Sequence, residues 1–214
     1  EDAVKMEFHS DDSVQTRNNY FKDLSSNKLI DYVHVENDFN DFERDPLLYH
    51  MMSTEGPHIC SGDVNLDGLE DLFICGAKDQ PGALLIQQGN GRFIKSETNL
   101  FNEDKISEDT DCAMFDADGD SDPDLYVASG GNEFPESSSA LADRLYLNDG
   151  KGHFTKSSQV LPAGRYESTS CVEPCDFDND GITELFVGIR LKPFAYGVPV
   201  NGYLLENDGK GRFS

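Results

Sequence analysis

The chain has 214 residues, and its 41 Asp and Glu outnumber 17 Lys and Arg, so the formal net charge is −24 at pH 7. A surface this acidic repels phosphate backbones and anionic lipids, so we expect neither nucleic-acid binding nor membrane-surface binding. Membrane insertion is not expected either, because no apolar run approaches the ~20 residues that a transmembrane helix needs. The length fits one domain with an apolar core.

Residues 1–56 form a lead-in, in which 1–28 are polar with weak periodicity and 37–44 are polar apart from two phenylalanines. Runs of β-forming residues predict strands near Tyr20 and over 29–35, one of which could belong to an adjoining blade of a larger sheet assembly, and 46–52 favours a short helical turn. Histidines in loops more often make structural contacts than catalytic ones, and we favour that interpretation here over a catalytic or zinc cluster. The side chains concerned are His34, Glu36, His50, Glu55 and His58.

A nine-residue pattern then recurs three times, at 63–71, 116–124 and 176–184, which we call acidic loops 1, 2 and 3. Side chains that carry oxygen occupy positions 1, 3, 5 and 9 of each loop, and an apolar run follows. Carboxylates ~4 Å apart repel by ~1 kcal/mol per pair even in water, so loops this acidic favour a bound cation. Ca²⁺ fits best, because it accepts about six to eight oxygen ligands in irregular geometry.

We therefore predict up to three Ca²⁺ ions, one in each loop. Position 7 can add its backbone carbonyl, and Gly68 and Gly181 at position 6 suit a sharp turn. An EF-hand does not fit, because position 12 holds an apolar residue where that motif needs Glu. Solvated turns are the alternative, but three copies in register favour metal. The predicted ligands are Asp63, Asn65, Asp67, Leu69 and Asp71 in loop 1, Asp116, Asp118, Asp120, Asp122 and Asp124 in loop 2, and Asp176, Asp178, Asp180, Ile182 and Glu184 in loop 3.

A tight hairpin rich in Asn, Asp and Gly follows each acidic loop. Each unit reads as strand, acidic loop, strand, long connection, strand, hairpin and strand, and in unit 2 the strands are predicted at 110–116, 124–129, 143–148 and 153–158. This order predicts an all-β fold, a partial β-propeller of about three four-stranded antiparallel blades. Three blades do not close a propeller, so we expect a fragment of a larger one or self-association through open blade edges. The predicted blades cover 57–109, 110–168 and 169–214, the last truncated.

Five cysteines leave at least one thiol unpaired. Four of them lie just before the acidic loops, in predicted inner strands. We expect these to be buried small residues, because further zinc ligands are not evident nearby. They are Cys60, Cys112, Cys171 and Cys175.

The pattern D-x-D-x-D-G-x-x-D before an apolar strand resembles the FG-GAP, or VCBS-like, repeats of integrin-α-type β-propellers. The stretches 32–39, 46–50 and 55–57 also resemble the start of secreted bacterial FG-GAP proteins related to cartilage acidic protein. The resemblance covers nearly the whole chain from about Tyr32. It implies four-stranded blades with calcium between the first two strands, a parent propeller of seven blades, and a location outside the cell or in the bacterial cell envelope.

The expected function is a binding or adhesion module for a glycan or a protein, and no catalytic residue is predicted. The alternatives are the non-catalytic propeller portion of a polysaccharide-active enzyme, and an assembly part that completes a propeller with another segment. In an up-and-down blade the long connections share one face, which we call the long-loop face, and loops on rigid scaffolds often bind ligands. Its candidate contact residues could equally pack the loops onto the blades. They are Phe134, Arg165, Tyr166, Arg190, Phe194 and Tyr196.

Overall fold

The computed structural model describes residue 23 and residues 27–214. In that part three antiparallel sheets follow one another along the chain, each ordered up and down, which confirms the all-β partial propeller. Blade 1 holds β1 (Ile59–Gly62), β2 (Asp71–Ile74), β3 (Ala83–Gln87) and β4 (Phe93–Lys95). Blade 2 holds β5 (Asp109–Phe115), β6 (Asp124–Ser129), β7 (Arg144–Leu147) and β8 (Thr155–Lys156). Blade 3 holds β9 (Ser168–Cys175), β10 (Glu184–Leu191) and β11 (Tyr203–Leu205).

The fourth strand of blade 3 is represented by a single bridge between Asn207 and Phe213. Helical structure among the described residues consists of α1 (Asp41–Arg44), two 3₁₀ helices, Leu100–Asp104 and Ser139–Leu141, and a 3₁₀ conformation at Asn27. None of the helices in this part of the chain is long and apolar enough to cross a membrane.

The apolar core lies between the blades. Because side chains alternate across a strand, every second residue of a blade faces the next blade and the others face the previous one. Phe73, for example, shares one buried cluster with Leu125 and Val127 of blade 2. Tyr126 points the other way and joins the cluster with Leu185 of blade 3. Stacking of blades therefore supplies the burial that no single sheet could supply alone.

The outward face of blade 3 has no such neighbour among the described residues. Phe73 and Tyr126 are at most 1% exposed, whereas Phe186, which occupies the same position of the repeat, is 45% exposed. Leu204 pairs with Phe186, as Leu84 pairs with Phe73 and Leu145 pairs with Tyr126. Leu204 is exposed, whereas the other two leucines are buried. We call this surface the open face; it consists of Cys171, Glu173, Phe177, Phe186 and Leu204.

The lead-in differs from its prediction. The predicted strand at 29–35 does not form, and the Leu29 carbonyl accepts a single backbone bond from the Phe93 amide of β4 (2.8 Å). Its backbone is held instead by the side chain of Gln80, which accepts from the Val35 amide (2.8 Å) and donates to the Val33 carbonyl (2.8 Å). The strand expected near Tyr20 lies outside the described residues.

The helical element of the lead-in is α1, in a stretch that the sequence suggested was merely polar, while 46–52 contains a turn and no helix. Asn40 caps α1 by accepting from the Phe42 amide, which explains its start. The buried Asp41 carboxylate accepts from the Met52 amide (2.9 Å) and from both the amide and the hydroxyl of Ser53. These bonds fold the lead-in back on itself over the long-loop face.

The cysteines follow the predicted burial only in part. Cys112 is buried and Cys60 and Cys175 are half-buried, but Cys171 is exposed. The prediction was wrong for Cys171 because this residue lies on the open face, where no blade covers it.

Candidate metal centres

The three acidic loops occupy equivalent places, each joining the first two strands of its blade. Their backbones are also alike. Position 6 has a positive φ in every loop, at Gly68 (86°), Ser121 (75°) and Gly181 (88°), and position 4 is left-handed at Leu66 and Asn179 as well. Ser121 thus adopts a conformation that glycine normally supplies, so the loop geometry is maintained even where the sequence disfavours it.

The first carboxylate of each loop closes the turn. In loop 1 both oxygens of Asp63 accept backbone amides, from Asp67 (3.0 Å) and from Gly68 (2.7 Å). Asp116 accepts the amide of Ser121 (3.0 Å), and Asp176 accepts that of Gly181 (3.0 Å). These bonds fold the loop so that its later side chains turn toward the first.

Two of the loops bring three carboxylates together. In each of them one oxygen from positions 1, 3 and 9 lies within 4.8 Å of the other two, a spacing that a single Ca²⁺ ion with Ca–O distances of about 2.3–2.6 Å can bridge. In loop 1 the third position is Asn65, whose side-chain oxygen accepts from the Asp67 amide (3.0 Å). The two triads are Asp116, Asp118 and Asp124 in loop 2, and Asp176, Asp178 and Glu184 in loop 3.

Position 5 stands apart from these triads. Asp67, Asp120 and Asp180 each accept the amide of the residue two places later, at 2.9, 3.1 and 2.8 Å. Those amides belong to the position-7 residues Leu69, Asp122 and Ile182. The position-5 acids therefore form local Asx turns that shape the loop.

The ninth residue has a role that the sequence pattern did not reveal. The buried Asp124 accepts from the backbone N–H of Ala117 with one carboxylate oxygen and from the backbone N–H of Asn148 with the other, both at 2.8 Å. Asp71 makes the same pair of bonds in loop 1, to Val64 (3.2 Å) and Gln87 (2.7 Å). This acid braces the loop against the end of the third strand, which accounts for its burial without reference to an ion.

The electrostatics of loop 2 favour a cation. Burial, aided by the neighbouring carboxylates, raises the pKa of Asp124 to about 7 and that of Asp122 to about 6, and it also raises the pKa of Asp118. One buried oxygen of Asp118 and one of Asp122 lack a hydrogen-bond partner in the described structure. Hard oxygen donors with unsatisfied negative charge match the chemistry of Ca²⁺, so the residues present fit the ion.

Asp122 carries a second candidate donor. The sequence interpretation used only its backbone carbonyl, but the residue is 5% exposed and one of its carboxylate oxygens has no hydrogen-bond partner in the described structure. An acid at position 7, where the other two loops carry Leu69 and Ile182, was the available signal.

A second missed feature is the asparagine that opens the hairpin of blades 2 and 3. The side-chain amide of Asn148 donates to the backbone carbonyl of Val64 in the previous blade (2.9 Å) and to that of Pro123 in its own blade (3.2 Å). Asn207 repeats this, donating to Ala117 and to Thr183 of its own blade, both at 2.9 Å. Each hairpin thus fastens two successive acidic loops together.

The histidines of the lead-in do not converge on one centre. His34 contacts Glu36 (2.7 Å), His50 contacts Glu55 (2.5 Å), and His58 lies 3.3 Å from Asp111. These separate pairs agree with the structural interpretation.

The candidate contact residues of the long-loop face divide into two groups. Phe134 is buried, Arg190 is paired with Glu55, and Phe194 lies under the Arg44 guanidinium, 3.8 Å from its carbon to the ring centroid. Phe134 thus packs within its own connection, against Leu141, whereas Arg190 and Phe194 contact the lead-in, although Phe194 is still 54% exposed. Tyr166 and Tyr196 are each 38% exposed, and Arg165, next to Tyr166 in the chain, is exposed as well.

Comparison with known families agrees with this architecture. The FG-GAP-like repeat model matches residues 63–127 and 116–187, which together span more than half of the chain. Each match begins at position 1 of one acidic loop and ends in the strand that follows the next acidic loop, which is β6 for the first match and β10 for the second. No curated protein matches the chain, and the narrower likeness to proteins related to cartilage acidic protein stays a resemblance. The chain belongs to the family of FG-GAP-like repeat proteins.

Proposed function

We propose that this chain is a calcium-stabilised binding module that acts outside the cell or in the cell envelope. The convergence of three carboxylates in loops 2 and 3 supports the calcium sites. The ions would be structural, because the same side chains brace the loop backbone and the end of the third strand of their own blade. Extracellular calcium modules bind at about 0.1–1 mM, which suits this location.

The ligand is a protein, and the observation that carries this is the open face. Phe186 and Leu204 of this face occupy positions that are buried in blades 1 and 2, whereas Glu173 occupies the position of Cys60 and Ala113. Large exposed apolar patches mark protein contacts. In loops 1 and 2 the backbone carbonyl of position 2, at Val64 and Ala117, accepts a hydrogen bond from an asparagine side chain of the next blade. Phe177 holds this position in loop 3, on the open face. The partner we propose is a second copy of the chain, which brings an equivalent sheet and needs no other protein.

Sedimentation of the wild-type chain across a wide concentration range tests this function. We expect concentration-dependent self-association that Phe186→Asp and Leu204→Asp abolish, since each places a charge in the contact. Ile94→Asp is the matched control, because Ile94 is also exposed but lies on the outer strand of blade 1. A chain that stays monomeric throughout would rule the second copy out.

A glycan is the second candidate ligand. A groove of about 350 Å³ on the long-loop face is lined by Arg165, Tyr166, Glu167, Asn201 and Tyr203. Aromatic, guanidinium and amide groups side by side suit a sugar, and this groove would equally serve the non-catalytic portion of a polysaccharide-active enzyme. Binding on a glycan array that Tyr166→Ala removes, with an unchanged melting temperature, would support this candidate.

A further inference from the structure

A group of buried carboxylates lies on the long-loop face, away from the acidic loops. Glu36 comes from the lead-in, Glu108 precedes β5, and Glu133 lies in the connection between β6 and β7. The Asn37 amide of the lead-in donates to Glu133 (2.8 Å), and the charges of Glu36 and Glu133 both act on Glu108. We call this group the acidic pocket.

Each carboxylate of the pocket is held through one oxygen. Glu36 contacts the His34 ring (2.7 Å), Glu108 accepts from the Lys78 amide (2.7 Å), and Glu133 accepts from Asn37 and lies 3.5 Å from the Lys78 ammonium. Anchoring at one oxygen fixes the direction of the other. The pocket is therefore preorganised in the absence of a ligand.

The free oxygens are the observation that points to a ligand. Glu36 Oε2 and Glu133 Oε1 are buried without a hydrogen-bond partner in the described structure, as is the Tyr32 hydroxyl. The side chain of Glu133 is only 3% exposed, so bulk water does not satisfy it. Leaving a buried charged acceptor unpaired costs more than the ~1–3 kcal/mol of a neutral group.

The missing partner must carry positive charge. Three carboxylates face a single ammonium, that of Lys78, which is one-third exposed. Burial raises the pKa of Glu108 to about 8 and also raises that of Glu133, as expected where negative charge lacks compensation. Asp109, whose charge also acts on Glu108, is already paired with Arg144.

A nitrogen cation fits better than a metal ion. The triads of loops 2 and 3 bring three ligand oxygens within 4.8 Å, and the acidic pocket does not form such a compact group among the described residues. Ammonium hydrogen bonds of about 2.7–2.9 Å span more widely separated acceptors than Ca–O contacts of about 2.3–2.6 Å. The N–H groups of a primary ammonium would also satisfy the unpaired oxygens individually.

The pocket is reached through a cavity of about 200 Å³. Of the three carboxylates, Glu108 lines this cavity, together with Gly56, His58 and Arg190, whose guanidinium is paired with Glu55. A side chain on Gly56 would lie 3.2 Å from the His34 ring and 3.3 Å from Glu36, so the glycine leaves the approach to that pair open. We propose that the acidic pocket binds a primary alkylammonium group that enters by this cavity. This proposal does not depend on calcium or on the open face.

Amide NMR titrations of the whole chain with n-butylammonium test the proposal, with n-butanol as the uncharged control. We expect saturable shifts at Gly56 and Glu108 with butylammonium alone. Glu133→Gln and Glu108→Gln should each weaken binding about tenfold or more, since each removes a charged acceptor. Both changes keep the side-chain shape and relieve repulsion, so folding is retained, which a thermal melt checks. Glu97→Gln, at an exposed acid elsewhere on blade 1, is the matched control.

A lysine derivative blocked at its backbone, Nα-acetyl-lysine methylamide, distinguishes the sources of the ammonium. Tighter binding of this compound than of butylammonium indicates a lysine side chain of a protein, and the reverse indicates a free amine. Amine binding that is unchanged in both glutamine variants would overturn the proposal. Absence of amine binding would also overturn the proposal, even if a parallel titration with Ca²⁺ or Mn²⁺ shifted the same backbone amide signals.

Discussion

The blade contacts and the open face are built from the same positions of one repeat, yet they differ in burial. Phe73 and Tyr126 are covered by the next blade, while Phe186 is 45% exposed. The local pattern of strand, acidic loop and hairpin is the same in both settings. The comparison teaches that the repeat specifies the blade, whereas the neighbour decides whether its side chains contribute stability or remain available for binding.

Truncating equivalent aromatics should give the largest difference. Phe73→Ala removes a ring from the core between blades 1 and 2 and should lower the free energy of unfolding by about 3–5 kcal/mol. Phe186→Ala removes an exposed ring and should cost less than ~1 kcal/mol. Urea denaturation of both variants, at concentrations where the chain is monomeric, measures the two losses. Equal losses would mean that the open face is covered within the chain.

A pH comparison uses two glutamates that occupy the same place relative to their acidic loops. Glu108 is buried in the acidic pocket, whereas the Glu55 side chain is one-third exposed and paired with Arg190. The folded-state pKa of Glu108, about 8, lies above its ordinary value of 4.5. Its contribution to stability is therefore full below pH ~4.5 and is lost as pH rises toward ~8.

The glutamine introduced by Glu108→Gln is uncharged at every pH, so this variant should not lose stability as the pH rises. The variant should gain stability over the wild type as pH rises from ~4.5 to ~8, by roughly 4 kcal/mol at most. Glu55→Gln should show no such gain. Urea denaturation at a series of pH values measures both, and parallel curves for wild type and Glu108→Gln would refute the expectation.

The hairpin asparagine offers a third comparison. Asn148 donates to carbonyls of both adjoining acidic loops, so Asn148→Ala leaves buried acceptors unpaired and should cost about 1–2 kcal/mol. Gln87 holds the same place in blade 1, because its backbone N–H donates to Asp71 just as the backbone N–H of Asn148 donates to Asp124. Its side chain has no preceding acidic loop to reach, so Gln87→Ala should cost less than ~0.5 kcal/mol. Thermal melts compare the two variants, and similar losses would show that the amide bonds between loops carry little energy.

The smallest contrast lies within a single acidic loop. Asp116→Asn removes a triad carboxylate from loop 2, whereas Asp120→Asn changes a local Asx turn whose oxygen the amide retains. We expect calcium affinity of loop 2 to fall about tenfold or more in the first variant and only slightly in the second. Competition with a calcium-sensitive dye measures the affinities. A greater loss in Asp120→Asn would reassign the ligands.

Sequence patterns were sufficient for the blades because the signals there are local. The β6 strand at 124–129 lies at its predicted position, and the acids of positions 1, 3 and 9 converge in loops 2 and 3. The lead-in was less predictable, since its structure depends on contacts distant in sequence, such as Arg44 with Phe194 and Asn37 with Glu133. No short window contains both partners of such a contact. The bracing role of Asp124 escaped notice for the same reason, because Asn148 lies in another strand connection.

Calorimetric titration of Ca²⁺ into chelator-stripped protein tests the central claim most directly. The account predicts saturable binding of up to three ions, one for each acidic loop, with one ion fewer in Asp116→Asn and a melting temperature that rises as calcium is added. Absence of binding heat together with the same melting temperature in chelator and in calcium would contradict it.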